Sequence, residues 1–486
     1  MVPRSDLCLG HSLTSKVGGK SRSDGLSFCV SSHEYTYTFI KNIRIFSTII
    51  WINANALHFS RGKAVSIAFE QWTNGREVPT LGTNAGAERL PFQTWRHFKE
   101  AFAPELVARA VRECEIPVGR CIDPFGGSGT TALACQFLGV EPVTIEVNPY
   151  LADLIEAKLG RYDETVLIQD LGQVIRTVRS TAGKVHDLSW LPPSFVEPGV
   201  KDRWLFEESV AQRIESYRLA IEQLSTPLHR MFLKAILGGF LVETSNVYIN
   251  GKGRRYRKNW QVRRHSPETV DQRFLERVQQ AIFEIVRYAQ RPVRGYTLMR
   301  GDCREAIGRS APCQLAVFSP PYPNSFDYTD VYNVELWALG YLADASSNRS
   351  LRQSTLASHV QVQRHFEPRP TGSAKLDAVS AKLHESRQKL WSPHIPNMVD
   401  GYFADMQNVM RALEQRLVQH GEVWAVVGDS LYANIYIPVA DILVELAPMC
   451  GFEVVRSEAF RSMRSSAQQG GRAELAESLV VFRKIN

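Results

Sequence analysis

Asp123-Pro124-Phe125-Gly126-Gly127-Ser128-Gly129-Thr130-Thr131 decides how this 486-residue chain is read. An apolar run, 121–125, leads into it, glycines crowd its middle, and 130–138 carries a helical pattern behind it. Strand, tight loop and helix in that order open a Rossmann-type α/β fold. Glycine tolerates positive φ and lets the backbone approach a ligand closely, so the loop reads as a cradle for a nucleotide-like cofactor. The next short strand, 142–147, contains Glu146 and runs into Asn148-Pro149. An acidic side chain at the tip of the second strand is where such folds hydrogen-bond ribose hydroxyls. A glycine-rich turn by itself would be only a tight turn; Glu146 at this distance gives it a ligand.

Far downstream, Ser319-Pro320-Pro321-Tyr322 follows an apolar strand pattern at 314–318. Alone it reads as a proline turn, but beside a cofactor cradle it acquires a chemistry. The lone pair of an amine on an aromatic ring is delocalised into the ring. A site that alkylates such an amine must draw the nitrogen toward tetrahedral geometry by accepting hydrogen bonds from its N–H groups. Two prolines pin the backbone and carry no amide hydrogens, leaving carbonyls as acceptors. Ser319 adds a hydroxyl acceptor, and Tyr322 a ring face on which a base can stack. In-line attack on an activated methyl then depends mainly on placement of the two reactants. Neither a metal nor a covalent nucleophile is needed.

DPFGGSGTT resembles motif I, and SPPY motif IV, of the S-adenosylmethionine-dependent DNA amino-methyltransferases, with the cofactor motif first. The resemblance implies an α/β fold with a Rossmann-like seven-stranded methyltransferase sheet, helical and loop insertions, and S-adenosylmethionine as methyl donor. It implies that Asp123, Phe125, Gly127, Gly129 and Thr130 lie along the cofactor and that Glu146 binds its ribose. Gly301-Asp302, after the apolar run 296–299, is similar to motif III, whose Asp approaches the adenine. Ser319, Pro320, Pro321 and Tyr322 are the implied catalytic set. Residues 95–107 (WRHFKEAFAPELV) resemble motif X, which packs near the methionine portion, and 421–430, 451–460 and 478–484 read as the closing strands.

Ser at the first position of motif IV is more typical of enzymes that methylate N4 of cytosine, and Asp or Asn of those that methylate N6 of adenine. The expected reaction is therefore cytosine N4 methylation at a short sequence in duplex DNA, with adenine N6 as the alternative. An RNA base methyltransferase and a DNA-binding module that has lost catalysis are the rival readings. Methylation at cytosine C5 is disfavoured, because it needs a Cys nucleophile in a Pro-Cys setting. Family habit suggests a companion restriction endonuclease as partner.

A base inside a duplex must be extruded to reach such a pocket, at about a few kcal/mol per nucleotide. That calls for a basic surface, and 250–264 (NGKGRRYRKNWQVRR) has seven cations, two aromatics and no acidic residue. Arg254, Arg255, Arg257 and Lys258 are expected to neutralise phosphates, and Tyr256 and Trp260 to stack or pack on sugar. The net charge of +7 suits a polyanionic partner.

The chain divides into an N-terminal extension, partly disordered (1–60), the start of the methyltransferase domain (61–160), a helical insertion with the basic loop (161–295), the core with SPPY (296–344), a polar insertion suited to target recognition (345–396) and the rest of the core (397–486). In the helical insertion, 207–224 and 227–245 read as helices. A third starts at Ser266-Pro267-Glu268, a good cap, and sets Val270, Phe274, Val278, Ile282 and Val286 in one row. The basic segment is expected to be a loop displayed from these helices and to grip backbone, while 345–396, ending in a helix at 374–391, reads bases. Residues 461–469 form a third polar basic loop.

The eight cysteines form no CxxC pair and the twelve histidines no HExxH, so no metal site is expected and the chain reads as reduced and cytoplasmic. The apolar stretch 45–52 is too short to span a bilayer and too far from Met1 for a secretory signal, so no membrane is expected as partner. Met1 is the only methionine before Met231 and the resemblance starts later, which motivates the hypothesis that translation begins near Ala64-Val65. An intact mass that includes 1–60, for protein made from its native start, would exclude it.

Overall fold

The computed structural model describes residues 61–486 except 99, 251–252, 293, 325, 465–473 and 486. The expectations for 1–60 and the start-site hypothesis lie outside the described residues.

The strands are β1 Arg120–Asp123, β2 Glu141–Glu146, β3 Val247–Asn250, β4 Gly253–Tyr256, β5 Thr297–Arg300, β6 Cys313–Phe318, β7 Leu417–Gly428, β8 Ser430–Tyr432, β9 Ile435–Ile437, β10 Phe452–Arg464 and β11 Glu474–Lys484. Seven of them form one sheet in the order β10-β11-β7-β6-β1-β2-β5. From β7 to β5 all neighbours are parallel, and β11 runs antiparallel between β7 and β10. This is the expected α/β methyltransferase sheet, with its closing strands extended to 417–428, 452–464 and 474–484.

The chain moves outward from β1 through β2 to β5, then returns to β6 on the other side of β1. In open α/β sheets, ligands bind beyond the carboxyl ends of the strands at such a reversal. Cys121 pairs with Leu315 and Ile122 with Ala316, so the chain leaves β1 at Asp123 and β6 at Phe318 along the same edge. Two motifs far apart in sequence are thereby delivered to one crevice.

β6 (CQLAVF) is buried at every position but Gln314, as a parallel strand covered on both faces requires. Ile122, Val143, Ala316, Phe318 and Val423 meet Tyr402, Met406, Met410 and Leu413 of the helix Ile395–Arg416 in one core. Behind β2, Asn148 caps the helix Pro149–Leu159, its side chain accepting from Tyr150 N (3.0 Å) with Pro149 in the first turn.

The helical insertion carries helices Glu164–Ser180, Glu208–Glu222, Pro227–Phe240 and Pro267–Arg287. The second expected helix stops at Phe240 because the chain turns there into β3. Val270, Phe274, Val278 and Ile282 are buried in a row, and Val286 is half-buried. Ser266 stands at the N-cap, but its side chain makes no capping bond. Within the last helix, Glu284 is buried and accepts from Thr94 Oγ1 (3.2 Å), Trp95 Nε1 (2.8 Å) and the amide of Phe92. The insertion thus grips the segment preceding β1. The basic segment is not a plain loop as expected: it begins in the antiparallel hairpin β3–β4, which pairs Val247 with Tyr256 and Ile249 with Arg254.

After SPPY the chain forms two short helices, Tyr328–Val331 and Asn333–Ala338. In 345–396 the helices are Ala345–Gln353 and Ala374–Glu385, the latter ending before the expected 391. Residues 461–464 continue β10 rather than forming a loop, and 465–469 lie outside the described residues.

Candidate active site

A cavity of roughly 400 Å³ opens over the carboxyl ends of β1 and β6, within the size range of small-molecule sites, about 300–1,000 Å³. Asp123, Phe125, Gly127, Thr130 and Glu146 line one part of it, and Ser319, Pro320, Pro321 and Tyr322 another.

On the cofactor side, Asp123 Oδ1 accepts from Phe125 N (2.9 Å), and Gly126 N donates to Ile145 O (2.9 Å), tying the loop to β2. A Cβ on Gly126 would stand 2.5 Å from Thr144 Cγ2, so no side chain fits at this crossing. Gly127 (φ 52°) turns the loop in the left-handed region, and a Cβ there would lie 2.9 Å from Phe98 Cζ. Glu146 accepts from Gly127 N through one oxygen and Asn148 N through the other, both at 2.7 Å. Each carboxylate oxygen keeps a further acceptor position. Burial pushes the carboxyl pKa of Glu146 up to about 7, against the pull of these amides, and burial likewise takes Asp123 up to about 7.

The segment resembling motif X does reach the cavity, through Phe98, Ala101 and Phe102, and Phe98 stacks on Tyr332 (5.9 Å between centroids, 15°). Gly129 is not a lining residue and packs against Ile155. Asp302 is already engaged: its carboxylate caps the helix Cys303–Ala306 and pairs with Arg304 (Nε 3.0 Å), whose guanidinium also holds Asp405 (2.9 Å). Its neighbours Gly301 and Cys303 line the cavity instead. A glycine cradle with no room for side chains, ending on a carboxylate with spare lone pairs, fits the nucleoside of S-adenosylmethionine.

One group the sequence did not single out is Lys158, buried behind the loop, whose Nζ donates to Ser128 O (2.7 Å) and Gln93 Oε1 (3.3 Å). Burial lowers its pKa to about 7.

On the SPPY side, Ser319 Oγ donates to Val426 O (3.0 Å) and lies 3.2 Å from Tyr322 Oη. Tyr322 Oη donates to Glu477 Oε1 (3.0 Å), and Arg461 Nε reaches Glu477 Oε2 (2.6 Å). Burial and the Glu477 charge drive the Tyr322 pKa well above the ordinary phenol value. Thr355, Leu356 and His359 of the polar insertion also line the cavity. Burial lowers the His359 pKa to about 4, which keeps the ring neutral near pH 7. No motif announced Glu477 or these insertion residues, because each reaches the cavity from a distant part of the chain.

The basic hairpin lies beside the cavity-lining helix Tyr328–Val331: a Cβ on Gly253 would stand 3.0 Å from Asp330 Oδ2. Arg255 and Lys258 are exposed. Trp260 is 7 % exposed, packed edge-on to Trp204 (5.0 Å) and against Tyr256 (4.9 Å), and Arg257 donates to Val242 O (2.9 Å) and Ser245 O (3.2 Å). Arg254 lies over the Phe195 ring at 5.7 Å. Trp260 and Arg257 thus hold the hairpin to the body.

The sequence does contain one Pro-Cys pair, Pro312-Cys313, which weakens the sequence argument against C5 chemistry. The structure restores it: Cys313 starts β6 at the end remote from Ser319, its thiol donates to Ala311 O (3.2 Å), and burial pushes its pKa up to about 12. Among the described residues no three potential ligands group as a metal site, and no helix is long and apolar enough to cross a membrane.

Comparison with known proteins agrees with this geometry. Residues 69–157 match the family model described as DNA methylase, of the N6/N4 methyltransferase class. The chain is similar to the Type II methyltransferase M.BsoBI of Geobacillus stearothermophilus, 24% identical over 483 residues, covering 87% of this chain and 91% of that one. It is similar to the Type II methyltransferase M.AvaI of Nostoc, 26% identical over 435 residues, covering 81% and 86%. A shorter match, 35% identical over 79 residues and covering 16% and 14%, is to the Type II methyltransferase M.MjaII of Methanocaldococcus jannaschii. Both motifs lie on one crevice of the seven-stranded sheet, residues 69–157 form a DNA methylase domain of the N6/N4 methyltransferase class, and the chain is similar over most of its length to Type II methyltransferases.

Proposed function

We propose that this protein methylates the exocyclic N4 of cytosine at a short recognition sequence in duplex DNA. The observation that carries the reading is the Ser319 hydroxyl hydrogen, committed to Val426 O at 3.0 Å. An oxygen whose hydrogen is already placed meets a substrate amine with lone pairs only, which is what an N–H needs. Pro320 and Pro321 add carbonyls with no competing amide hydrogens, and the Tyr322 ring supplies a stacking face. S-adenosylmethionine, when bound, supplies the electrophilic methyl. The Gly126 crossing, the Gly127 turn and Glu146 hold and orient the donor, so that reaction becomes a matter of placement.

The concave site requires the target nucleotide to leave the helix. In this reading Arg255 and Lys258, with Arg254 and Tyr256 of the same hairpin, bind backbone phosphate and sugar, Arg257 and Trp260 hold the hairpin in place, and 354–359 touch the extruded base. Ser319 at the first position of the SPPY motif favours cytosine over adenine. By likeness to Type II methyltransferases, a cognate restriction endonuclease is the proposed partner and the cytoplasm the proposed compartment.

The test is expression in a host without DNA methylation of its own, followed by sequencing that separates modified cytosine from modified adenine. N4-methylcytosine at a recurring motif is the expected result. Modified adenine would overturn the base assignment. Unmodified DNA, from soluble protein that binds S-adenosylmethionine, would point to RNA.

A further inference from the structure

We infer that Glu477 is a positioning residue for methyl transfer: it takes the Tyr322 hydroxyl hydrogen, so that Ser319 and Tyr322 both face the substrate amine as acceptors. The inference rests on the amino-methyltransferase reading above. The two hydroxyls lie 3.2 Å apart, and left to themselves would share a hydrogen, with one spent as donor to the other. Two groups that only accept resolve this. Val426 O takes the Ser319 hydrogen at 3.0 Å, and Glu477 Oε1 takes the Tyr322 hydrogen at 3.0 Å.

Glu477 is built into this place. It sits on β11 opposite Gly428 of β7, is 3 % exposed and lines the cavity. Its other oxygen is fixed by Arg461 Nε at 2.6 Å, and Gly82 makes room for it, since a Cβ there would stand 2.5 Å from Oε2. A carboxylate needed only to neutralise Arg461 would not have to meet the phenol. Here Arg461 spans both oxygens, Nε on Oε2 at 2.6 Å and Nη2 on Oε1 at 3.3 Å, and Oε1 accepts the Tyr322 hydroxyl as well at 3.0 Å.

The experiment is a double-mutant cycle on the full chain, using Glu477→Gln, Tyr322→Phe and both together. Methyl transfer into unmethylated genomic duplex DNA is measured as kcat and KM, and S-adenosylmethionine binding by calorimetry. If Glu477 acts through Tyr322, each single change lowers kcat by roughly 10- to 100-fold, as for loss of one hydrogen bond to a charged group, with cofactor affinity retained. The double variant is then no slower than Tyr322→Phe alone. Losses that multiply, or an unchanged kcat in Glu477→Gln, overturn the inference while the wild-type rate leaves the methyltransferase reading intact. Should Glu477→Gln fail to bind cofactor, Glu477→Asp, which retracts the carboxylate by one methylene, takes its place in the cycle: a double variant no slower than Tyr322→Phe supports the inference, and multiplying losses overturn it. Wild-type protein that methylates no DNA overturns the underlying reading and the inference with it, and that failure shows in the wild type itself.

Discussion

Cofactor binding is predicted to release a proton from Glu146. In the free protein, burial holds this carboxyl near a pKa of about 7 although two backbone amides already donate to it. Ribose hydroxyls donating to its remaining lone pairs favour the charged form, so binding lowers the pKa and expels the proton. Affinity therefore rises with pH up to about 7 and then levels. Only about a tenth of the free protein is ionised at pH 6 and about nine tenths at pH 8, which makes binding roughly tenfold weaker at the lower pH. Calorimetric titration with S-adenosylmethionine at pH 6, 7 and 8, in two buffers of different ionisation heat, reads affinity and protons together. Glu146→Gln is the control that subtracts the titration of the ligand and of Asp123; it puts an NH₂ where a backbone N–H now finds an acceptor. It should bind about 10- to 100-fold more weakly, as expected for loss of a charged hydrogen-bonding group worth about 1.5–3 kcal/mol. The ligand-free protein carries the opposite signature. A carboxyl whose folded pKa is raised from 4.5 to about 7 stabilises the fold most below pH 4.5 and loses that contribution as pH rises through about 7. If wild type and Glu146→Gln show the same pH profile and the same proton count, the reasoning is wrong.

Four further outcomes are expected. Ser319→Ala should lower kcat by about 10²–10³, as for loss of one positioned oxyanion-hole donor, with S-adenosylmethionine affinity unchanged in calorimetry; a normal kcat would remove Ser319 from the acceptor set. Gly126→Val forces side-chain atoms against Thr144 Cγ2 and Ile145 O and should destabilise by about 1–3 kcal/mol in urea unfolding, with loss of cofactor binding. Arg255→Ala and Lys258→Ala should each reduce the slope of log K for DNA against log salt by about 0.9, without touching cofactor affinity. Trp260→Ala should instead lower stability by about 3–5 kcal/mol, as for a buried aromatic. A Trp260 variant of full stability that has lost DNA affinity would return that ring to the interface.

What could be read in the sequence was what is local. DPFGGSGTT and Glu146 are a contiguous strand, loop, helix and strand, and their geometry follows from glycine, from Pro149 and from the Asn148 cap within a few residues. SPPY was legible for the same reason. Their meeting was legible only through the resemblance, because it depends on β6 returning to the side of β1 away from β2. Glu477 and His359 were invisible since each is one polar residue whose significance lies in a neighbour contributed by another strand or loop. The basic segment misled in part: a run of cations hides the pairing of β3 with β4, and Trp260 looked available for stacking until Trp204 and Tyr256 filled its surroundings. Asp302 was placed by resemblance, and Arg304, two residues on, claims its carboxylate.

The grip of Glu284 on residues 92–95 bears on how such proteins exchange parts. The 161–295 insertion, with its basic hairpin, is the segment that would be exchanged between relatives as a cassette. Here the cassette carries the acceptor for three donors that belong to the host, one of them the Trp95 indole just ahead of Phe98 and the cofactor loop. A graft that leaves 91–98 behind strands those donors in the interior, at about 1–3 kcal/mol each. A working chimera therefore has two junction pairs, one around the insertion and one around this short upstream segment, and recombination that respects only the first yields a protein whose new insertion comes with a loosened cofactor site.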